Sequence, residues 1–232
     1  MTPKRCIVVG ASGRLGRAVA AELEKRGARV AGTHFTQPTE RTKKLDLSRL
    51  DDIEAVIAEL GRDLDGADAL VVCATSASAS AEPKFDRLAD IVPSKLVEML
   101  AVNVAGPILC ARAFASLPGA APRNIVYVGS IDGAKPVPTA VPYATSKAAL
   151  MGAARALAKE LGSAGILVNV VAPGLLEDGA SRIVPDDVKR EYLKHSASKR
   201  FGTPEEIART IAWYALENTY TTAQTILLDG GL

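Results

Sequence analysis

Seven short apolar runs rich in β-branched residues alternate along the chain with longer stretches of helical period, and no other pattern in the sequence restricts the fold as strongly. The runs are Cys6 to Val9, Val30 to Phe35, Lys44 to Leu47, Ala69 to Cys73, Asn124 to Val128, Leu167 to Val171 and Thr225 to Leu228. They are continuous rather than strictly alternating, as a strand must be when both faces of its sheet are covered. The intervening segments read as helices near Arg14 to Arg26, Leu50 to Leu64, Ser94 to Leu117, Tyr143 to Leu161 and Glu205 to Glu217. Thr203 can cap the last of these, and Pro204 suits its first turn. Strand and helix in repeated succession predict an α/β fold, a doubly wound seven-stranded parallel sheet with helices on both faces, in one domain over residues 1–232.

A chain of 232 residues can bury about 70% of its extended surface in one core. With 39 alanines against five Tyr, four Phe and one Trp, that core must close by near approach of backbones rather than by large rings. The 28 basic and 26 acidic residues leave a net charge of +2, too balanced for a broad surface that binds nucleic acid without regard to sequence. Cys6, Cys73 and Cys110 are odd in number and each lies in an apolar run. They read as small core residues, which argues against a disulfide framework and for a reducing compartment. The first apolar run breaks at Gly10 before a signal-peptide core forms, and no run reaches a membrane span, so a cytoplasmic chain is expected, with no membrane or nucleic-acid partner.

Two segments fall outside the alternation. Thr75 to Pro83 is a Ser/Ala-rich loop after the fourth strand, and Leu175 to Arg200 is a charged insertion after a Pro-Gly turn. Both leave from carboxyl ends of strands, where open α/β sheets bind ligands, and the second (175–200) is expected to be a lid over the substrate. Its Lys189, Arg190, Lys194, Lys199 and Arg200 read as a solvated face or as a patch for an acidic partner.

Between the first strand and first helix stands Gly10-Ala11-Ser12-Gly13-Arg14-Leu15-Gly16. Gly10 permits a tight turn, Gly13 lets main chain approach a phosphate and Gly16 lets helix pack closely on strand, while the helix start offers free N–H groups to a pyrophosphate. A dinucleotide is therefore expected here. At the end of the second strand the sequence Gly32-Thr33-His34-Phe35-Thr36-Gln37 has no carboxylate before Glu40. An acidic residue would favour NAD there, so NADP(H) is the preferred reading and NAD the alternative. Arg14, His34, Thr36 and Arg41 are candidate contacts for its 2′-phosphate.

Tyr143 and Lys147 are four positions apart and share one face of a helix. A neighbouring ammonium is expected to stabilise phenolate and bring Tyr143 toward service as a general acid for a carbonyl oxygen. Ser130, at the end of the fifth strand, is placed to hydrogen-bond the same oxygen.

With these residues in view the chain resembles the short-chain dehydrogenase/reductase family over essentially its whole length, and within it the 3-oxoacyl-(acyl-carrier-protein) reductases. The resemblance is carried by Gly10 to Gly16, Asp46-Leu47, Asn103, Gly129-Ser130, Tyr143 to Lys147, Val168 to Gly174 and Asp229-Gly230-Gly231. It implies a Rossmann-like fold, a nicotinamide cofactor and a homo-oligomer, usually a tetramer. It further implies that Ser130 positions the carbonyl, Tyr143 protonates it, Lys147 binds the nicotinamide ribose and lowers the Tyr143 pKa, and Asn103 holds the water of a proton relay. Ser12, Arg14 and Leu15 belong to the cofactor loop. Phe35, Asp46 and Leu47 would lie near adenosine, Cys73 and Ala74 beside the ribose, and Pro173, Gly174 and Leu176 around the nicotinamide. Trp213 and Tyr214 look like core or subunit-contact aromatics by the same analogy.

Three departures stand out. Arg14 occupies a position where the family usually has glycine. Val72-Cys73-Ala74-Thr75 replaces Asn-Asn-Ala-Gly, and Leu175-Leu176-Glu177-Asp178 follows Pro173-Gly174 where a threonine commonly bonds the carboxamide. The expected activity is NADPH-dependent reduction of a ketone, with a 3-oxoacyl thioester on carrier protein or coenzyme A as the leading substrate. Another carbonyl or imine (pteridine, sugar or polyketide-derived) and a non-catalytic dinucleotide-binding sensor or scaffold are the alternatives.

Overall fold

Strand β1 (Arg5–Val9) lies inside a seven-stranded, wholly parallel sheet. On one side of it are β2 (Arg29–His34) and β3 (Thr42–Lys44); on the other, in sequence order, are β4 (Ala69–Val72), β5 (Arg123–Val128), β6 (Ile166–Pro173) and β7 (Thr225–Leu228). This computed structural model describes residues 2–81 and 84–232, so Glu82 and Pro83 of the expected Ser/Ala-rich loop lie outside it. The winding reverses at β1, where Ile7 pairs with Ala31 on one side and Leu70 on the other. A crevice therefore opens beyond the carboxyl ends of β1 and β4.

Successive strand residues point to opposite faces, and both faces are covered. Cys6 and Val8 join a core with Val19 and Leu23 of α1 (Arg14–Lys25) and Ile207, Ile211 and Ala215 of α7 (Pro204–Leu216). Ile7 and Val9 face the opposite core. There they meet Ile57 of α2 (Ile53–Leu64), Phe114 of α4 (Gly106–Ala115), and Leu150 and Ala154 of α5 (Val141–Leu161). Alanines such as Ala208, Ala212 and Ala215 are buried at the helix contacts, the role expected of an alanine-rich composition. At α7 the predicted cap forms in full. The Thr203 hydroxyl accepts from Glu206 N–H at 3.2 Å, and Thr203 N–H donates to the Glu206 carboxylate at 2.9 Å.

Three expectations need correction. The third strand is Thr42–Lys44 rather than Lys44 to Leu47. Leu45 and Leu47 are buried in the core after the strand has ended, and the Asp46 carboxylate turns the chain by accepting from Ser48 N–H at 2.9 Å. The single helix expected over Ser94 to Leu117 is instead α3 (Pro93–Leu100), a π turn (Ala101–Ala105) and α4. Pro107 has no N–H, so carbonyls of the preceding turn lose a helical donor at the point where the helix widens. Taken together, Pro93–Ala115 is long and apolar enough to cross a membrane, contrary to the reading that no run reaches that length. It lies against the sheet, carries the buried Asn103, and is 39% buried in its most apolar window.

Candidate active site

The glycine loop has the geometry of a phosphate cradle. Gly10 adopts φ +81° and presses on the exit of β4, where a Cβ would come 2.7 Å from the Ala74 nitrogen. A Cβ on Gly16 would overlap the Gly10 carbonyl oxygen. Gly13 caps α1 without any side-chain bond, so the first-turn N–H groups of that helix stay available to an anion. Thr33 steadies the turn by accepting from Gly10 N–H at 2.9 Å.

From this loop a cavity of about 770 Å³ extends across the carboxyl end of the sheet. Ser12, Gly13, Arg14, Leu15 and Gly16 bound one end with Phe35 and Thr36. Cys73, Ala74, Pro173, Gly174 and Leu176 form its middle. Ser130, Tyr143 and Lys147 stand beyond them, under a segment that includes a 3-10 helix (Gly179–Ile183) and α6 (Asp186–His195). The loop, its free helix start and the size of the cavity fit a dinucleotide.

Other expected contacts lie outside this lining. The His34 ring bonds to the Thr42 hydroxyl at 2.9 Å. Arg41 pairs with Glu24 at 2.7 Å on the surface, and Leu47 is a core residue. Asp46 is engaged in its own turn. The basic residues of the 175–200 segment are largely neutralised locally. Lys189 meets Asp186 at 3.4 Å, Lys194 meets Glu191 at 3.6 Å, and Arg200 meets Glu206 at 2.6 Å. Arg14 and Asp178, two of the departures, face one another across the cavity mouth at 3.8 Å, with Arg182 on the other oxygen of Asp178.

At the catalytic end Lys147 is only 2% exposed and donates to the Val128 carbonyl at 2.9 Å. Its Nζ lies 5.6 Å from the centre of the Tyr143 ring. Burial pulls the ammonium down to about 8, against the opposing influence of Cys73 and Asp132. Tyr143 does not follow the expectation that Lys147 would lower it. Burial pushes its phenol up, the Asp132 charge pushes it further, and the hydroxyls of Ser130 and Thr75 pull it back only in part. In this state the site holds a protonated phenol, the form needed to give a proton.

Ser130 lies two residues beyond the end of β5 and caps the short turn Ile131–Gly133; its hydroxyl donates to the Asp132 carboxylate, and Asp132 N–H returns to it at 3.3 Å. Asn103 is buried in the π turn with its whole amide engaged. Its oxygen accepts from Ser76 N–H at 2.7 Å and the Thr75 hydroxyl at 3.2 Å, and its nitrogen donates to the Ser76 carbonyl at 2.8 Å and the Ser146 hydroxyl at 3.0 Å. The Ser146 hydroxyl in turn donates to the Tyr143 carbonyl at 2.8 Å. Asn103 thus ties the loop after β4 to the helix that carries Tyr143 and Lys147. Thr75, Asp132 and Ser146 were not singled out as site residues from the sequence. Ser146 carried a usable signal, three positions from Tyr143 on the same helix face.

Comparison with known proteins agrees with this geometry. Residues 10–232 match a family model described as Enoyl-(Acyl carrier protein) reductase. The chain is 31% identical to 3-oxoacyl-(acyl-carrier-protein) reductase FabG of Salmonella typhimurium, over 99% of this chain and 97% of that protein. It is 30% identical to Nodulation protein G of Rhizobium sp. (strain N33), over 100% and 98%. Among solved structures, a short-chain dehydrogenase/reductase from Serratia marcescens superposes with a TM-score of 0.87 at 25% identity, covering 98% of this chain and 97% of the other. A short chain dehydrogenase from Burkholderia cenocepacia in complex with NADP does so with 0.86 at 26%, with the same coverage. With the parallel sheet, the glycine cradle and the Ser130, Tyr143 and Lys147 cluster at its mouth, these matches establish that the chain belongs to the short-chain dehydrogenase/reductase family of oxidoreductases.

Proposed function

We propose that the chain is an NADPH-dependent ketone reductase whose substrate is a 3-oxoacyl thioester on acyl carrier protein or coenzyme A. The observation that carries this reading is the convergence of a protonated Tyr143, Ser130 and a buried Lys147 on one end of a cavity whose other end is a phosphate cradle. The thioester is suggested by the similarity to 3-oxoacyl-(acyl-carrier-protein) reductases.

NADPH, when bound, supplies hydride to the ketone carbon. Tyr143 delivers the proton to the ketone oxygen, and Ser130 fixes that oxygen in a site where few waters compete with its hydroxyl. Lys147 supplies positive charge beside the phenolate left behind, which lowers the cost of proton release. Asn103 holds the loop and helix that aim these groups, and the carbonyls freed in its π turn by Pro107 suit a relay water. For the cofactor, Ser12 and Gly13 would face the pyrophosphate, and Arg14 and Thr36 would face the 2′-phosphate. The missing carboxylate at His34-Phe35-Thr36 supports NADPH over NADH. The half-exposed Trp213 and the apolar outer side of Pro93–Ala115 suit a homo-oligomer, and three free thiols suit a cytoplasmic setting.

The test follows NADPH and NADH oxidation in parallel with 3-oxoacyl thioesters, small ketones, sugars and pteridines. Tyr143→Phe is expected to lower turnover about 10²- to 10⁴-fold while NADPH binding is retained. Unchanged turnover in that variant would overturn the role of Tyr143. Equal rates with small ketones and thioesters would overturn the substrate.

A further inference from the structure

Thr75, in the loop that leaves β4, stands where the related sequences usually have glycine, and its side chain is exposed on the cavity wall that Tyr143 also lines. Its hydroxyl donates to the Asn103 amide oxygen at 3.2 Å. That oxygen has a shorter bond from Ser76 N–H, at 2.7 Å, so it stays paired if Thr75 turns away. On its other side the Thr75 hydroxyl meets the Tyr143 phenol and favours its ionised form. Two neighbouring hydroxyls have fixed targets of their own. Ser130 donates to the Asp132 carboxylate, and Ser146 donates to the Tyr143 carbonyl at 2.8 Å. A hydroxyl carries one proton and two lone pairs and rotates to suit its partners. Thr75 therefore has one proton and two acceptors between which it can be redirected, one of them the atom that releases the proton in ketone reduction.

We propose that Thr75 is a positioning residue for proton transfer: its hydroxyl proton points to Asn103 while Tyr143 is a neutral phenol, and turns to the phenolate oxygen as Tyr143 gives its proton away. The proposal rests on the ketone-reductase reading above and adds a residue to its machinery. In the resting site the Thr75 oxygen can accept from the phenol while its own proton stays on Asn103. In turnover the Tyr143 O–H bond breaks, its proton passes to the ketone oxygen as the ketone carbon takes hydride from NADPH, and a phenolate remains. Thr75 loses no proton; only the direction of its O–H changes. A hydrogen bond to a charged oxygen is stronger than one to a neutral phenol. The gain therefore grows as the proton leaves, which is the condition for raising kcat rather than tightening binding. Glycine at this position has no hydroxyl to offer. The ionisable groups that face Tyr143 are Asp132, from the turn after β5, and Lys147, one helical turn along α5. Cys73, at the exit of β4 beside Lys147, is a thiol that burial pushes up to about 12. From the 175–200 segment Asp178, Glu191 and His195 line the same cavity. A substitution confined to the Thr75 hydroxyl leaves all of these in place.

The experiment measures kcat and KM for a 3-oxoacyl ester with NADPH in the wild type, Thr75→Val and Thr75→Ser. In the same three proteins, labelled with fluorotyrosine, it follows the ionisation of Tyr143 by fluorine NMR, the Tyr143 signal being the one missing from Tyr143→Phe. Valine keeps the branched shape and removes the hydroxyl; serine keeps the hydroxyl. Thr75→Val is expected to lower kcat about tenfold with KM little changed, and to raise the pH at which Tyr143 ionises by about one unit or more. Thr75→Ser is expected to restore both. A loosened loop alone would lower kcat without moving the ionisation of Tyr143, and that result overturns the proposal. So does an unchanged kcat in Thr75→Val, or a serine variant that behaves like the valine one; in each case the reductase reading stands. If the wild type reduces no ketone, the reductase reading fails and the titration decides alone: a higher ionisation pH in Thr75→Val, restored in Thr75→Ser, supports the contact, and equal values in all three proteins overturn it.

Discussion

The substitution Lys147→Met should remove turnover and at the same time change how stability depends on pH. The side chain is 2% exposed and its ammonium has one hydrogen bond, to Val128 at 2.9 Å. Its folded pKa is about 8 against an ordinary 10.5. Between those two values the unfolded chain holds a proton that the folded chain has released, so the contribution of Lys147 to stability rises with pH across this window. At about 1.4 kcal/mol per unit the gap corresponds to roughly 3 kcal/mol, a penalty fully present below pH 8 and gone above 10.5. A methionine side chain carries no such penalty. It also leaves the Val128 carbonyl without its donor, a cost of about 1–3 kcal/mol that does not vary with pH. Urea unfolding of both proteins from about pH 7 to about pH 10.5 separates the two effects. The stability of the wild type relative to the variant should climb by about 3 kcal/mol over that range, whatever the constant offset. A difference that stays flat, or that falls as pH rises, would refute the claim that burial holds this ammonium against its preference for water.

Other expectations follow from the same structure. Gly16→Ala drives a Cβ into the Gly10 carbonyl, so the turn must open; NADPH affinity should fall at least tenfold by fluorescence titration, or the protein should lose about 2 kcal/mol or more of stability. Asn103→Leu orphans Ser76, Thr75 and Ser146 together, and chemical denaturation should show a loss of about 2–4 kcal/mol with kcat reduced as well. Thr203→Ala removes the cap of α7 and should cost about 1 kcal/mol by thermal or urea unfolding without a change in turnover. Glu206, held down to about 2 by Arg200 and by Thr203 N–H, contributes stability that is lost as pH falls from the ordinary glutamate range through 2. That acid-side loss should be smaller in Arg200→Gln.

What could be read from the sequence was what depends on neighbours along the chain. Gly10, Gly13 and Gly16 are legible because a turn between strand and helix needs them at that spacing, and Tyr143 and Lys147 because one helical turn brings them together. The central strand runs were legible because β1, β4, β5 and β6 are buried on both faces, whereas the edge strand β3 is the half-exposed Thr-Lys-Lys and carries no such signal. The misreadings share a cause. Leu45 and Leu47 have the alternation of a strand, yet the core that buries them is reached from a loop, which only the packing of α2 and α4 decides. The shift of Tyr143 has the opposite sign because burial and the Asp132 charge raise it, and neither these nor the engagement of Lys147 with Val128 can be seen in a spacing of four. Asn103 has partners 27 and 43 residues away, and Asp132 looks like an ordinary turn residue until the cavity is drawn around it. His34 and Arg41 carry charge or polarity at a suggestive place, but the alternation of strand faces and a surface glutamate turn them elsewhere.

The order of strands also governs how the protein is made. While β1 waits for β4, its Cys6 to Val9 edge stays open, since Ile7 cannot meet Leu70 until that part of the chain has left the ribosome. From then on each strand docks outside the last, β5 on β4, β6 on β5 and β7 on β6, so the newest strand is always the exposed one. β6, with the sequence Ile-Leu-Val-Asn-Val-Val-Ala-Pro, is covered only when Thr225 to Leu228 arrive. Chains released before that point would carry an apolar, unpaired edge suited to pairing with one another, and they should be recovered as aggregates rather than as a smaller folded domain.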